Sequence, residues 1–295
     1  MKNIGQKIKY CPPSSQEKRS FRVDHVRIPP NEQITFHQHD ALEISYIIVG
    51  SGTRIIGNTM EPFSQGEVVF IPSNVPHCWS FDDFDTSSDG TIENISIFFS
   101  PDLLENAYTG FPELHECASK MQQLEDAVVF GGSALVSLQT IMKTMVSETE
   151  VEQLGSLFRI FAAISSAKQM NVVGSRITQD RNNKRMQRAY YYVINNFQTD
   201  ISLDDVAKYV GMDKSSFCTF FKKMAGKSFF TFLTEYRLES SVQMLQKTNF
   251  SVAEICNASG FNDVPHFNRV FKKAKQITPT TFRKNTLTKS RSTSC

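Results

Sequence analysis

The chain has 295 residues, of which 40% are hydrophobic and 21% charged, a composition that excludes wholesale disorder and favours two globular domains. The net charge of +2 hides a division. Residues 181–295 carry 19 Lys and Arg against 8 Asp and Glu, whereas residues 1–180 carry 13 against 22. A basic domain attracts phosphate backbones, so the last third of the chain is a candidate nucleic-acid module.

The cellular location is expected to be cytoplasmic, without a membrane partner. No apolar run is long enough to span a bilayer, and the first residues lack the apolar stretch of a secretory signal. The six cysteines show no paired spacing, which argues against a disulfide framework or a zinc knuckle.

Short β-type runs dominate the sequence from residue 21 to residue 99, with glycine or proline in most of the gaps. The runs are Phe21–Ile28, Leu42–Val49, Thr53–Ile56, Glu67–Ile71 and Ile92–Phe99. Strands at this spacing predict a small antiparallel barrel or sandwich, with Gly50-Ser51-Gly52 as a hairpin turn between two of them.

The segment after the strands changes in character. From about Phe111 to Met170 apolar residues recur at helical spacing, which predicts helices. Residues 171–184 are polar and show no sustained periodicity, so we assign them as the linker between a domain at 1–170 and a domain at 185–295.

The last third contains two copies of a helix, a tight turn and a second helix, which is the outline of a helix-turn-helix. In the first copy Ser202 and Asp213 are the candidate N-caps, and Gly211 makes the turn. A long predicted helix from about Phe229 to Gln246 follows.

The second copy opens with a capping box at Ser251 and Glu254, and Asn262 or Asp263 caps its second helix. Both copies share a pair of phenylalanines at i and i+4 and a pair of lysines near the helix end. These residues are Phe217, Phe221, Lys222 and Lys223 in the first copy and Phe267, Phe271, Lys272 and Lys273 in the second. The phenylalanines predict a buried face, and the lysines suit the helix dipole and phosphate contacts.

Residues 185–284 resemble the DNA-binding domain of the AraC/XylS family of bacterial regulators. The residues that carry the resemblance are Ile201–Ala207, Phe217–Lys223, Gly226, Tyr236–Leu238, Gly260-Phe261, Phe267–Lys273 and Thr278–Arg283. The resemblance implies two helix-turn-helix units joined by the long helix. Their recognition helices are expected to enter the major groove of double-stranded DNA about 34 Å apart.

The same resemblance implies which side chains face DNA. The candidates are Ser215, Ser216, Cys218, Thr219 and Lys222 in the first recognition helix, and Pro265, His266, Asn268, Arg269 and Lys272 in the second. The family commonly has arginine, the usual bidentate reader of guanine, where Thr219 stands. We therefore expect the first unit to read fewer bases directly.

Residues 20–100 resemble a cupin domain, with His37-Gln-His39-Asp-Ala-Leu-Glu43 as the first motif and Gly66–His77 as the second. In many cupins the equivalents of His37, His39, Glu43 and His77 hold one divalent metal. Positions 37, 39 and 43 share the parity that places side chains on one face of a strand. Three histidines and one carboxylate suit iron, manganese, nickel or zinc.

A small-molecule pocket is the other interpretation of the same barrel. Its candidate ligand-binding residues are His37, His39, Glu43, His77 and Trp79. The second motif departs from the pattern at Asn74, where glycine is usual, and at Phe81, where asparagine is usual. A barrel descended from metal-binding cupins can keep its histidines as pocket lining, so no cofactor is assigned and a divalent metal stays an alternative.

The expected fold class is thus a multi-domain α and β protein: a cupin-like β-barrel followed by helices, and then an all-α domain with two helix-turn-helix units. The favoured function is a sequence-specific transcription regulator, not an enzyme, that responds to a small effector through the barrel. Its expected partners are a second copy of the chain, paired through the helices before residue 170, and RNA polymerase if it is an activator. Another possibility is a regulator whose barrel only dimerises and senses nothing. The alternative from a different class is a metal-dependent cupin enzyme, a dioxygenase or isomerase, tethered to a DNA-binding domain. No nucleophile motif, phosphate loop or dinucleotide fingerprint supports it.

Overall fold

The computed structural model describes residues 9–10, 19–32, 36–176 and 180–292. The chain divides into two units, residues 1–183 and residues 184–295. Within the described ranges, no helix has both the length and the apolar character that crossing a membrane requires.

The strands of the first unit form two sheets. The strands are β1 (Lys9–Tyr10), β2 (Phe21–Ile28), β3 (His37–Gln38), β4 (Leu42–Val49), β5 (Gly52–Ile56), β6 (Thr59–Phe63), β7 (Val68–Ile71), β8 (His77–Phe81), β9 (Ile92–Phe99), β10 (Asp126–Phe130) and β11 (Met170–Ser175). One sheet has the order β1-β3-β8-β5-β6, and the other has the order β11-β10-β7-β4-β9-β2. Apart from the parallel pair β1 and β3, the pairings are antiparallel, as the cupin-like prediction requires.

Helices of the first unit pack on the six-stranded sheet. They are α1 (Pro101–Gly110), α2 (His115–Gln122), α3 (Gly132–Met145) and α4 (Glu150–Ser165). Leu42, Ile44 and Tyr46 alternate along β4 and share one buried cluster with helical residues such as Leu138 and Phe161. Because strand side chains alternate between faces, the residues between them point to the opposite side of the sheet.

Three expectations for the first unit were wrong. Gly50-Ser51-Gly52 is no hairpin turn, because β4 and β5 belong to different sheets and the segment crosses between them. The region expected to be helical contains the strand β10, whose five residues are too few to establish a period.

The predicted linker also began too early, since residues 171–175 form most of β11 and pair with β10. Met170 and Val172 are exposed on this edge strand while Val173 is buried, so the segment lacks a long apolar pattern. Of the rest of the predicted linker, residues 177–179 lie outside the described residues, and the helix α5 already begins at Arg181.

The second unit is helical, as expected. Its helices are α5 (Arg181–Asn196), α6 (Leu203–Val210), α7 (Lys214–Ala225), α8 (Phe229–Lys247), α9 (Val252–Ala258), α10 (Val264–Lys275) and α11 (Pro279–Ser292); α5 starts within the last residues of the first unit. Ser202 caps α6 by accepting a hydrogen bond from the Asp205 amide at 3.1 Å. The predicted capping box between Ser251 and Glu254 is present at the start of α9.

The phenylalanine pairs anchor both second helices. Phe217, Phe221, Phe267 and Phe271 have no exposed surface. The rings of Phe217 and Phe221 lie 5.5 and 5.3 Å from the ring of Phe229 in α8. The ring of Phe271 lies 5.7 Å from the ring of Phe282 in α11. Each pair therefore holds its helix against a different neighbouring helix.

Replacement of Phe267 by alanine is expected to lower the free energy of unfolding by about 3 to 5 kcal/mol, because it leaves a cavity at a fully buried site. The matched control is Phe250→Ala, since Phe250 is 42% exposed and should cost less than about 1 kcal/mol. Urea unfolding of both variants measures the difference. Equal unfolding midpoints for Phe267→Ala and wild type would show that the buried face is assigned wrongly.

Candidate nucleic-acid interface and polar cluster

The two recognition helices α7 and α10 begin in the same way. The turn before α7 contains Gly211 at φ +75°. Asp213 accepts a hydrogen bond from the Ser216 amide at 2.9 Å, and Asp263 accepts one from the His266 amide at 2.8 Å. Asp263, not Asn262, is therefore the cap of α10. Each cap fixes where its helix starts and so which residues share its outer face.

The ten predicted DNA-facing residues all lie on these helices. Ser215, Ser216, Cys218, Thr219, Lys222, Pro265, His266, Arg269 and Lys272 are exposed, and Asn268 is half-buried. The phenylalanine pairs occupy the inward face, which leaves the other positions to solvent. The Thr219 hydroxyl donates a hydrogen bond to the Ser215 carbonyl at 3.3 Å within the helix.

Cations on the recognition helices differ in their partners. Lys214 pairs with Asp204 at 2.8 Å and Lys275 pairs with Glu239 at 3.2 Å. Across the part of the chain that the structure describes, no carboxylate forms a salt bridge with Lys222, Arg269 or Lys272. These three positive charges are therefore available to a phosphate or a base edge.

Two arginines of α5 extend this surface and were missed in the sequence. Arg185 donates to the Gly211 carbonyl at 3.2 Å, and Arg188 donates to the Tyr209 carbonyl. Arg185 also lines an open cavity of about 520 Å³ with Lys208 and Ser216 beside the start of α7. The two arginines are three residues apart, a spacing that places them on one face of a helix and that is visible in the sequence. Nothing in the sequence indicated which turn they contact.

A buried polar cluster lies inside the barrel of the first unit. His37, His39, Glu43 and His77 are at most 8% exposed, and one potential ligand atom of each lies within 4.8 Å of the others. β3 supplies His37, β4 supplies Glu43 and β8 supplies His77, with His37 directly opposite His77. The structure thus brings together all four residues of the predicted set.

Hydrogen bonds orient the cluster. His39 and His77 contact the Ala41 and Val75 carbonyls through Nδ1 at 3.0 and 2.7 Å. Their Nε2 atoms lie 3.1 and 3.0 Å from Glu43 Oε2. Because a carbonyl only accepts, each Nδ1 carries a proton and each Nε2 points into the cluster.

The other oxygen of Glu43 is also satisfied. Ser45 and Ser96 donate to Oε1 at 2.6 and 3.2 Å. Burial raises the pKa of Glu43, but the hydrogen bonds and charges of the two histidines outweigh it, and the pKa lies well below its ordinary value. Burial lowers the pKa of His39, and Glu43 reverses this, so that pKa is raised. Glu43 and His39 therefore favour each other's charged forms.

The two departures from the second motif have structural explanations. Asn74 adopts φ +60°, a left-handed conformation that explains the usual glycine and that asparagine tolerates. The ring of Phe81 packs 4.7 Å from the ring of Phe63, so an apolar contact replaces the usual asparagine. Trp79 lies 5.5 Å from the ring of His77, and its buried Nε1 has no hydrogen-bond partner among the described residues.

A cavity of about 990 Å³ lies at the end of the barrel next to the cluster. None of the five predicted ligand-binding residues lines this cavity, so its position was not predicted from the sequence. Its apolar lining includes Leu42, Phe98, Leu104 and Met121, and charged residues such as Arg19, Asp102 and Glu105 line it as well. Phe98 connects the two sites, because its ring lies 5.4 Å from the ring of His39.

Comparisons with known proteins agree with both halves of this description. A helix-turn-helix domain family matches residues 206–285, and a cupin domain family matches residues 24–84. An uncharacterized HTH-type transcriptional regulator of Bacillus subtilis, YdeC, is 22% identical over 261 residues, 86% of this chain and 87% of that protein. The raffinose operon transcriptional regulatory protein RafR of Pediococcus pentosaceus is 24% identical over 250 residues, 83% of this chain and 86% of that protein. The chain belongs to the AraC/XylS family of transcriptional regulators.

A solved structure adds a local comparison for the second unit. A transcriptional regulator of Chromobacterium violaceum with an AraC-type DNA-binding domain is 30% identical, with a TM-score of 0.33. The alignment covers 35% of this chain and 91% of that one. The relatives that span both domains are named as regulators, so this AraC/XylS-family chain is a DNA-binding transcription regulator and the enzyme alternative loses its support.

Replacement of Arg269 and of Lys272 by alanine should weaken DNA binding in different ways. Arg269 lies mid-helix and suits a guanine edge, so Arg269→Ala is expected to cost about 1 to 3 kcal/mol on specific DNA only. Lys272 lies near the helix end and suits phosphate, so Lys272→Ala should weaken all binding and lower the salt slope by about one. Fluorescence anisotropy on selected and scrambled duplexes at several salt concentrations measures both. Equal losses for Arg269→Ala on the two duplexes would mean that it contacts only the backbone.

Proposed function

We propose that this AraC/XylS-family regulator senses a small effector in its first unit and binds double-stranded DNA through α7 and α10. The observation that carries the proposal is the cavity of about 990 Å³ beside the polar cluster. Its volume lies in the range of small-molecule sites, which combine an apolar lining with a few polar or charged groups, as this cavity does. The cluster itself is closed, so we assign the effector to the cavity and an ion to the cluster.

The donor set of the cluster fits a divalent metal. Histidines that bind metals usually donate their second ring N–H to a carbonyl or carboxylate, and both His39 and His77 already do so. Their Nε2 atoms and a Glu43 oxygen share one centre, and His37 lies beside it. Iron, manganese, nickel and zinc accept such a mixture of ligands. A bound ion would replace protons as the partner of Glu43.

The proposed metal has a role in sensing, because the backbone at His39 is connected directly to residues that line the cavity. The residues that follow it, Asp40 to Leu42, line the cavity. The His39 carbonyl accepts a hydrogen bond from the Asn74 amide at 2.7 Å, and Asn74 lines the cavity as well. An ion that holds the imidazole of His39 therefore holds this part of the effector site.

Replacement of Glu43 by glutamine should reduce the metal content of the purified chain, because it removes the negative ligand while preserving shape. The control is Glu93→Gln, which removes a carboxylate that contacts His25 outside the cluster. Plasma mass spectrometry after exposure to manganese or zinc measures bound ion. Wild-type chain that retains no more metal than Glu43→Gln contradicts the metal proposal and leaves effector binding unaffected.

Replacement of Ser73 by tryptophan should block the effector cavity. Ser73 lines it, and its buried Oγ has no hydrogen-bond partner among the described residues. An effector at a hundred times its Kd stabilises wild type by about 2.7 kcal/mol, which thermal unfolding with a panel of metabolites detects. The exposed Ser147→Trp serves as the control and should keep that stabilisation. A metabolite that stabilises Ser73→Trp as much as wild type binds elsewhere, and the cavity assignment fails.

We propose a cytoplasmic homodimer that contacts RNA polymerase if it activates transcription. The helices α3 and α4 are the proposed pairing surface. Light scattering on the purified chain measures its mass and so tests the dimer.

A further inference from the structure

A set of contacts beside α8 joins the two helix-turn-helix units. The loop between α5 and α6, residues Phe197–Asp200, leads into the first helix-turn-helix, which comprises α6 and α7. Gly260 and Asn262 lie in the turn of the second helix-turn-helix, which comprises α9 and α10, and Arg237 lies on α8 between the two. We call these residues the bracket.

Arg237 attaches α8 to the loop between α5 and α6. Its Nε donates to the Phe197 carbonyl and its Nη2 donates to the Thr199 carbonyl, both at 2.7 Å. These carbonyls follow the end of α5, where helical amides no longer reach. The planar guanidinium can satisfy both at once, which a lysine ammonium does not do with the same geometry. Burial lowers the pKa of Arg237, and the nearby Asp200 carboxylate opposes this.

Gly260 brings the second turn against the same loop. A Cβ at this position would lie 2.1 Å from the Phe197 carbonyl oxygen and 2.8 Å from Arg237 Nε. Gly260 also has φ +80°, which disfavours other residues. Its counterpart in the first helix-turn-helix, Gly211, has φ +75°, but a Cβ there would meet nothing within 4 Å. The two turns share a conformation, yet among these two glycines of the described chain it is Gly260 that lies against the loop before the other helix-turn-helix.

Asn262 completes the connection with a side-chain hydrogen bond. Its Nδ2 donates to Asp200 Oδ1 at 2.8 Å, although the residues are 62 positions apart. Asn262 directly precedes the cap of α10, and Asp200 lies two residues before the cap of α6. This bond therefore links the entry points of two helices in different units.

We infer that the bracket sets the separation of α7 and α10 and thereby the number of base pairs between the two half-sites that this chain accepts. Without the bracket, the two helix-turn-helix units would be connected through α8 and the phenylalanine rings that pack on it. Each unit could then pivot about its end of α8. The second turn meets the loop at two residues, Gly260 and Asn262, and Arg237 fixes the same loop to α8, so the three contacts together oppose a pivot. This inference rests on DNA binding by both units, which belongs to the proposed function.

The test compares duplexes in which the half-sites are moved apart. The starting duplex is the one that the full-length chain selects from a random pool, and one or two base pairs are inserted between its half-sites. Each inserted pair shifts the second half-site by about 3.4 Å and rotates it by about 35°. Wild type should lose affinity about tenfold or more per insertion, because a fixed separation does not follow this movement.

Asn262→Asp places two carboxylates together and should open the bracket. We expect its spacing preference to fall to about threefold or less, like charges at contact being repulsive. Combining it with Asp200→Asn exchanges donor and acceptor, and this double variant should regain the wild-type preference.

Gly260→Ala and Gly211→Ala provide a matched pair. Both add a methyl group at a positive φ, but only Gly260→Ala pushes on the loop of the other unit, so only it should flatten the spacing preference. Circular dichroism confirms that each variant is folded. The bracket is overturned if folded Asn262→Asp keeps the tenfold preference, if the double variant fails to regain it, or if both alanine variants behave alike. Wild type that binds its duplex with no spacing preference overturns the bracket alone, whereas wild type that binds no duplex overturns DNA recognition too.

Discussion

Burial of two phenylalanines on one side of each recognition helix is the constraint on which the DNA-facing surface depends. Phe217 and Phe221 pack on α8, and Phe271 packs on α11. Once these rings are buried, the helix period sends the positions between them outward. The arginine and lysines of the recognition helices therefore lie on the exposed face, opposite the buried phenylalanines. The exposed face of each recognition helix is thus determined by the packing of its buried face.

The barrel applies the same rule with the period of a strand. Along β4, Leu42, Ile44 and Tyr46 face the helices, which puts Glu43 and Ser45 inside. A buried carboxylate is costly unless it is hydrogen-bonded, and Glu43 accepts bonds from Ser45 and Ser96 and contacts two histidines. The polar interior is thus stable only as a complete network. Such a network fixes the orientation of His39 and His77.

Local signals in the sequence predicted the elements well and their partners poorly. The bounds of Phe21–Ile28, Leu42–Val49 and Ile92–Phe99 agree with three strands, and Ser202, Asp213 and Ser251 cap the expected helices. Gly50-Ser51-Gly52 was wrongly predicted to be a hairpin turn, because glycine indicates that the chain turns but not which sheet the next strand joins. The four cluster residues were found by their motif, whereas Ser96 was not, since it meets Glu43 only through the pairing of β4 with β9. Pairing between distant segments is what a local pattern does not contain.

The helix-turn-helix repeat in residues 184–295 also shows that local patterns do not reveal contacts between distant segments. In sequence Gly211 and Gly260 are equivalent residues, and the turns they make have nearly the same φ. Their surroundings differ, because a Cβ at Gly260 would meet the Phe197 carbonyl oxygen, whereas a Cβ at Gly211 would meet nothing within 4 Å. Two copies of a unit that must act at a defined separation need contacts that neither copy has alone. Those contacts can occur only where the copies meet, so the positions at which the repeat loses its symmetry are the ones that relate one recognition helix to the other.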